Sequence, residues 1–223
     1  MSIGLYYLIG IVAFVASMAI QSWLRNTYAK WMRVQNTAGL TGAEAARAIL
    51  NANGLQDVKV EVVKGMLTDH YDPRTKTVRL SEGNYGYANV SGLAVAAHEV
   101  GHAIQHAKSF AALGFRNTLL PVANLGSQFG PLLAIFGIML GAGGLVDLGI
   151  ILFAAAVLFH VVTLPVEFDA SRRALQQLNA LGLATSQDSG GARAVLTAAA
   201  MTYVAAAATS IAYLLYFIGL RRS

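Results

Sequence analysis

The 223-residue chain is 56% hydrophobic and only 12% charged, with a mean hydropathy of +0.53; soluble domains are about a quarter charged, so an ordinary water-soluble protein is excluded and an integral membrane protein is expected. The 16 Lys and Arg outnumber the 11 Asp and Glu, which in a membrane protein reads as an orientation signal and not as nucleic-acid binding. There is no cysteine, so a disulfide framework and thiolate metal sites are excluded, and His and carboxylate are left as the strong ligands for zinc.

In chain order, Ile3 to Trp23 is uncharged and long enough to cross a bilayer. No Lys or Arg precedes it and it exceeds a signal-peptide core, so it reads as a retained helix. Trp23, Tyr28 and Trp31 follow, interleaved with Arg25, Lys30 and Arg33, the pattern of an aromatic belt with basic anchors. Residues 1–36 make up this first membrane and interfacial segment. Residues 37–116 are polar enough for a small α+β domain facing water. Thr41-Gly42-Ala43-Glu44 has capping-box spacing and opens a helix, which Asn53-Gly54 closes. Val58, Val60 and Val62 alternate with Lys59 and Glu61 as in a strand. Asp72-Pro73-Arg74-Thr75 predicts a turn, Thr77 to Leu80 a second strand, and Val90 to about Lys108 a helix. His70 reads as a loop residue. An edge strand of such a sheet can take up an extended peptide.

Residues 117–164 predict a transmembrane hairpin: Leu119 to Leu140 has no charge, Leu145 to Leu164 has only Asp147 and His160 as polar ionisable groups, and Gly141 to Gly144 is long enough only for a turn. A mixed segment, residues 165–194, follows. Residues 195–223 hold a last apolar run, Val195 to Leu220, ending in Arg221-Arg222. The expected architecture is a mostly α integral membrane protein with about four transmembrane helices and a small α+β domain at the membrane surface.

The helix predicted from Val90 carries His98-Glu99-Val100-Gly101-His102. Residues four apart share a helix face, so His98 and His102 can reach one metal ion, and Glu99 can deprotonate a water beside it. This is the equipment of zinc-assisted hydrolysis, and it makes the expected α+β domain at the membrane surface a zincin-like catalytic domain. A catalytic zinc needs a third protein ligand. Two spans return the chain to its starting side, and the first charged residue after the return is Glu167, which is therefore the expected third ligand. Asp169 is its rival. Two residues apart on a helix means nearly opposite faces, so one of the pair faces the metal; Asp169 can otherwise bond a ligand histidine or sit near a helix N-terminus.

The run Ala96-Ala97-His98-Glu99-Val100-Gly101-His102-Ala103-Ile104-Gln105-His106, followed by Leu164-Pro165-Val166-Glu167-Phe168-Asp169-Ala170-Ser171, resembles the YugP-like neutral zinc metallopeptidases of bacterial membranes over nearly the whole chain. The resemblance implies a zinc-dependent protease of the bacterial cell membrane, acting on protein or peptide substrates, with His98 and His102 as ligands and Glu99 as catalytic glutamate. The arrangement is also similar to HtpX-type membrane proteases, which have a gluzincin site whose third ligand is the glutamate of a Glu-aromatic-x-Ala-Asp run. Glu167-Phe168-Asp169-Ala170 fits that run. Ser171 stands where its final Asp belongs, which leaves the partner of a ligand histidine open.

Other candidates carry less. His106 shares the face of His98 and His102, but at ~1.5 Å rise per residue it lies about 12 Å from His98 along the axis, too far for one zinc. The extended zincin pattern needs Gly and His where Gln105 and Lys108 stand. His160, inside a span, reads either as functional or as a neutral histidine bonded to a neighbouring helix. Tyr203, Arg172 and Arg173 are of the types that stabilise an oxyanion, and nothing selects among them. Two rival functions remain at this stage: an intramembrane protease using Asp147 as ligand, and a catalytically silent zinc protein acting as a scaffold. Positive-inside reasoning places the catalytic domain in the cytoplasm, with Arg221 and Arg222 in conflict.

Overall fold

The computed structural model describes residues 3–221, with side chains from Tyr7 onward. It is mostly helical. In chain order the elements are α1 (Ile3–Met32), α2 (Gly42–Ala52), β1 (Lys59–Val63), β2 (His70–Asp72), β3 (Thr77–Ser81), α3 (Glu82–Tyr85), α4 (Val90–Ala107), α5 (Ala111–Met139), α6 (Gly143–Ala180) and α7 (Ser186–Arg221). Four helices, α1, α5, α6 and α7, are long and apolar enough to cross a membrane. Arg222, half of the terminal basic pair, lies outside the described residues.

The chain divides into two compact units. The apolar unit takes Met1–Gln21, Ala111–Pro165 and Met201–Ser223; the mixed unit takes Ser22–Phe110 and Val166–Ala200. In the apolar unit α5 and α6 are joined by a short turn through Gly141, whose φ of 64° suits a residue without a Cβ. Their backbones meet at small residues: a Cβ on Gly149 would lie 2.5 Å from Ala134 N, and one on Gly137 would lie 2.7 Å from Val146 N. Small residues at a helix contact are what packing needs in lipid, where helices gain little from hydrophobic burial against each other. Phe153 and Phe217 add an edge-on ring contact, centroids 5.9 Å apart.

The mixed unit is built on a three-stranded sheet of order β1-β3-β2. β1 runs parallel to β3, with Lys59 opposite Thr77 and Val63 opposite Ser81. β2 runs antiparallel to β3, with His70 opposite Arg79 and Asp72 opposite Thr77. The central strand is the buried one: Val78 and Leu80 join Ile49 and Leu50 of α2 and Leu93, Ala97 and Val100 of α4 in the core. α2 starts at the expected capping box, in which the Thr41 N–H donates to Glu44 Oε2 (2.8 Å) and the Glu44 N–H to Thr41 Oγ1 (3.2 Å). The expected turn after β2 is stapled by Asp72, which accepts from the Arg74 N–H (2.9 Å) and the Thr75 hydroxyl (3.0 Å). Those bonds, the Arg74 N–H first, hold the Asp72 carboxyl down to about 2.

Two elements were not expected from sequence. β2 is three residues long, too short for a period to show, and it places His70 on a strand and not in a loop. α3 is a single turn following β3 directly. The segment before β2 is tied to α3 by Asp69, whose carboxylate accepts from the Ser81 N–H (2.7 Å), the Ser81 hydroxyl (3.1 Å) and Asn84 Nδ2 (3.0 Å). Tyr28 of α1 donates to Asn84 Oδ1 (2.9 Å).

Candidate metal centre

α4 supplies the first half of the site. Asn89 caps it, accepting from the Gly92 N–H at 2.7 Å, and one helical turn places His98 and His102 on one face. Their rings meet edge-on, centroids 4.8 Å apart. Gly101, inside the motif, is where α4 touches α6: a Cβ there would lie 2.6 Å from Ala170 O. Without that close approach the second half of the site could not reach the first.

The second half is Glu167 on α6. Its side chain is 3% exposed, and its Oε2 lies 3.3 Å from His98 Nε2 and 3.6 Å from His102 Nε2. The three donor atoms all lie within 4.8 Å of one another. Tetrahedral zinc with bonds of ~2.0–2.1 Å sets its ligand atoms roughly 3.3 Å apart. Two imidazole nitrogens and a carboxylate oxygen at these separations therefore form a set that can hold a metal ion. Of the described residues, no other His, Asp or Glu joins the set.

Each histidine is also held from behind, as metal-ligand histidines are. Ser171 Oγ lies 3.1 Å from His98 Nδ1. Gln105 Oε1 lies 3.0 Å from His102 Nδ1. The partner left open in sequence is thus Ser171 itself, one residue after Ala170. Asp169 bonds neither histidine. It accepts from Arg172, from Arg173 Nε (2.5 Å) and from Gln105 Nε2 (2.9 Å).

Glu99 is buried beside this set. Burial pushes its carboxyl above the ordinary glutamate value; His98 and His102 pull it down, and the Glu167 and Asp69 carboxylates push it up again. For His102, burial lowers the imidazole, but the Glu167 carboxylate more than reverses this and the net shift is upward.

The remaining candidates are not members of the three-residue set. His106 is exposed and its Nδ1 pairs with the Tyr71 hydroxyl at 2.9 Å. Arg172 and Arg173 are both engaged by Asp169. Tyr203 and His160 belong to the apolar unit, where His160 stands edge-on to Phe159. Asp147 pairs with Arg221, at 2.8 Å from Nε and 3.1 Å from Nη2. Sequence reasoning missed Gln105 as a participant, noting it only as a break in a longer pattern. Its spacing of three from His102, on the same helix face, was the available signal.

A membrane-type chain with a His-Glu-x-x-His helix and a carboxylate from a later helix is the design of a zinc metallopeptidase, and the chain belongs to that class: residues 6–222 match the family described as "Putative neutral zinc metallopeptidase". It is 48% identical over 208 residues, covering 92% of each chain, to the "Putative membrane protease YugP" of Bacillus subtilis (strain 168). No solved structure matches the chain.

Proposed function

We propose that this chain is a membrane-anchored zinc metallopeptidase in which His98, His102 and Glu167 hold the ion and Glu99 is the general base. The observation that carries the reading is the convergence of both Nε2 atoms on Glu167 Oε2, with Glu99 buried alongside. Zinc, when bound, supplies Lewis acidity that polarises a carbonyl and lets water give up a proton near neutral pH. The chain's own contribution is to place that proton. Glu99 takes it from the attacking water and delivers it to the leaving amine. Burial suits the carboxyl to both steps, because a raised pKa makes it a better base when ionised and a usable acid once protonated.

The substrates are proteins or peptides, and the four apolar helices anchor the enzyme in the bacterial cell membrane. The catalytic unit faces the cytoplasm. Arg25, Lys30, Arg33, Lys59 and Lys64 precede the hairpin and Arg172, Arg173 and Arg193 follow it, a bias that sets orientation. Arg221 and Arg222 are the exception to this bias.

The test is metal analysis and peptide cleavage on purified protein. Glu99→Gln keeps the zinc and loses about 10²–10⁴-fold in turnover; Glu167→Ala loses the zinc. A Glu99→Gln protein cleaving at the wild-type rate removes the base, and wild-type protein that carries zinc but cleaves nothing points instead to a silent scaffold.

A further inference from the structure

Gln105 is fully buried, and each of its polar atoms is committed. Its Nε2 donates to Val166 O (2.8 Å) and to Asp169 Oδ2 (2.9 Å). A backbone carbonyl can only accept, and so can a carboxylate paired with two arginines. Both amide hydrogens are therefore spent on α6, and the orientation of the amide is dictated by its neighbours. What faces His102 is Oε1, an acceptor without a proton to give.

It follows that His102 Nδ1 must donate. A neutral imidazole carries one N–H. Glu167 Oε2, which faces Nε2, is also an acceptor, but it lies 3.6 Å away, whereas Gln105 Oε1 lies 3.0 Å from Nδ1; the shorter contact favours the proton on Nδ1 and leaves the lone pair on Nε2. His98 is different. Its Nδ1 meets the Ser171 hydroxyl, which can give or accept a proton and so imposes no tautomer.

We propose that Gln105 is a positioning residue for the metal centre: anchored to α6 through Asp169 and Val166, it locks His102 in the tautomer whose Nε2 can bind zinc. The proposal rests on the metallopeptidase reading above. Arg172 and Arg173 are part of the device, because they keep Asp169 an acceptor and so keep the amide from turning over. The same amide also bonds α4 to α6, so the two helices that carry the ligands are tied beside the site by the group that selects the tautomer.

The experiment is ¹⁵N NMR of histidine-labelled, metal-free full-length protein at alkaline pH, where imidazoles are neutral, with zinc affinity measured by competition with a chelator. In the wild type, His102 shows a protonated Nδ1 and a bare Nε2. Gln105→Met keeps the volume and removes the acceptor; His102 then populates both tautomers, the His98 signals stay put, and zinc binds about 10- to 100-fold more weakly. Gln105→Glu keeps an acceptor opposite His102, and so keeps the Nδ1–H signal, although it loses the donor to Val166 O and Asp169. A loss of packing alone would lower stability without moving the tautomer in Gln105→Met while sparing it in Gln105→Glu. Wild-type protein with the His102 proton on Nε2 overturns the proposal, and so does wild-type zinc affinity in Gln105→Met. If Gln105→Met does not fold, the wild-type spectrum decides alone. Glu167→Ala serves as control: if it still binds zinc normally, the metal-site reading fails, whereas a failure confined to the Gln105 results removes only the tautomer lock.

Discussion

In the apolar unit, Gly137 and Gly149 let α5 and α6 meet backbone to backbone. In the mixed unit, Gly101 does the same for α4 against Ala170. The local sterics are alike and the stakes are not. Around Gly149 the neighbours are Ala134 and Gly130, so the contact sets only how tightly two apolar helices pack. Around Gly101 the next turns of the two helices carry His98, His102, Glu167 and Ser171, so the contact sets ligand separations. The polar groups follow the same division. Glu167, Asp169, Gln105, Ser81 and Asn84 are buried in the mixed unit; in the apolar one the buried polar groups include the hydroxyls of Thr163 and Ser210, and the charged Asp147–Arg221 pair is exposed. The same kind of close approach packs helices in one unit and spaces the candidate ligands in the other.

The strongest way to break this comparison is Gly101→Ala. Helix propensity alone favours alanine by about 1 kcal/mol. The contact with Ala170 O predicts the opposite: a loss of roughly 1–3 kcal/mol from overpacking, with zinc affinity falling more than tenfold as the ligands separate. Thermal unfolding and chelator competition measure the two effects, and a stabilised, zinc-binding variant would show that the approach of α4 to α6 is not what sets the site. Acidification should come next in size. Zinc needs neutral imidazole, and Glu167 holds the His102 pKa above its ordinary value. Protons therefore win at a higher pH than for a free histidine. Zinc release should begin above pH ~6.5, and affinity should drop at least tenfold per pH unit below that onset.

Gly149→Val sharpens the comparison from the other side. It should cost roughly 1–3 kcal/mol of stability, seen as a lower melting temperature in detergent, with zinc affinity unchanged. The smallest effect belongs to Asp147→Asn. The pair it breaks is exposed, so melting temperature and zinc content should both stay close to wild type.

Much of the candidate metal set is legible in the sequence. His98, Glu99 and His102 are given by spacing on one helix, because helical periodicity converts sequence distance into a shared face. Glu167 followed from topology, as the first charge after a hairpin. The capping box at Thr41 and the strands at Lys59–Val63 and Thr77–Ser81 were legible from local chemistry and alternation. β2 was not, because three residues carry no period. Nor was the continuity of α6 from Gly143 to Ala180 through Pro165, since an interior proline removes one helical hydrogen bond and ordinarily marks a break. The roles of Gln105 and Ser171 depend on which atoms meet across α4 and α6, and single-chain periodicity does not encode that.

The order in which the ligands occur along the chain has a consequence for biosynthesis. His98 and His102 leave the ribosome early, but the carboxylate proposed to complete their set follows only after all of α5 and nearly two-thirds of α6. On the proposed assignment, a nascent chain that ends anywhere between them holds the base and two imidazoles without the carboxylate that closes the set around a cation. Peptidase activity would then wait until the later helix has been made.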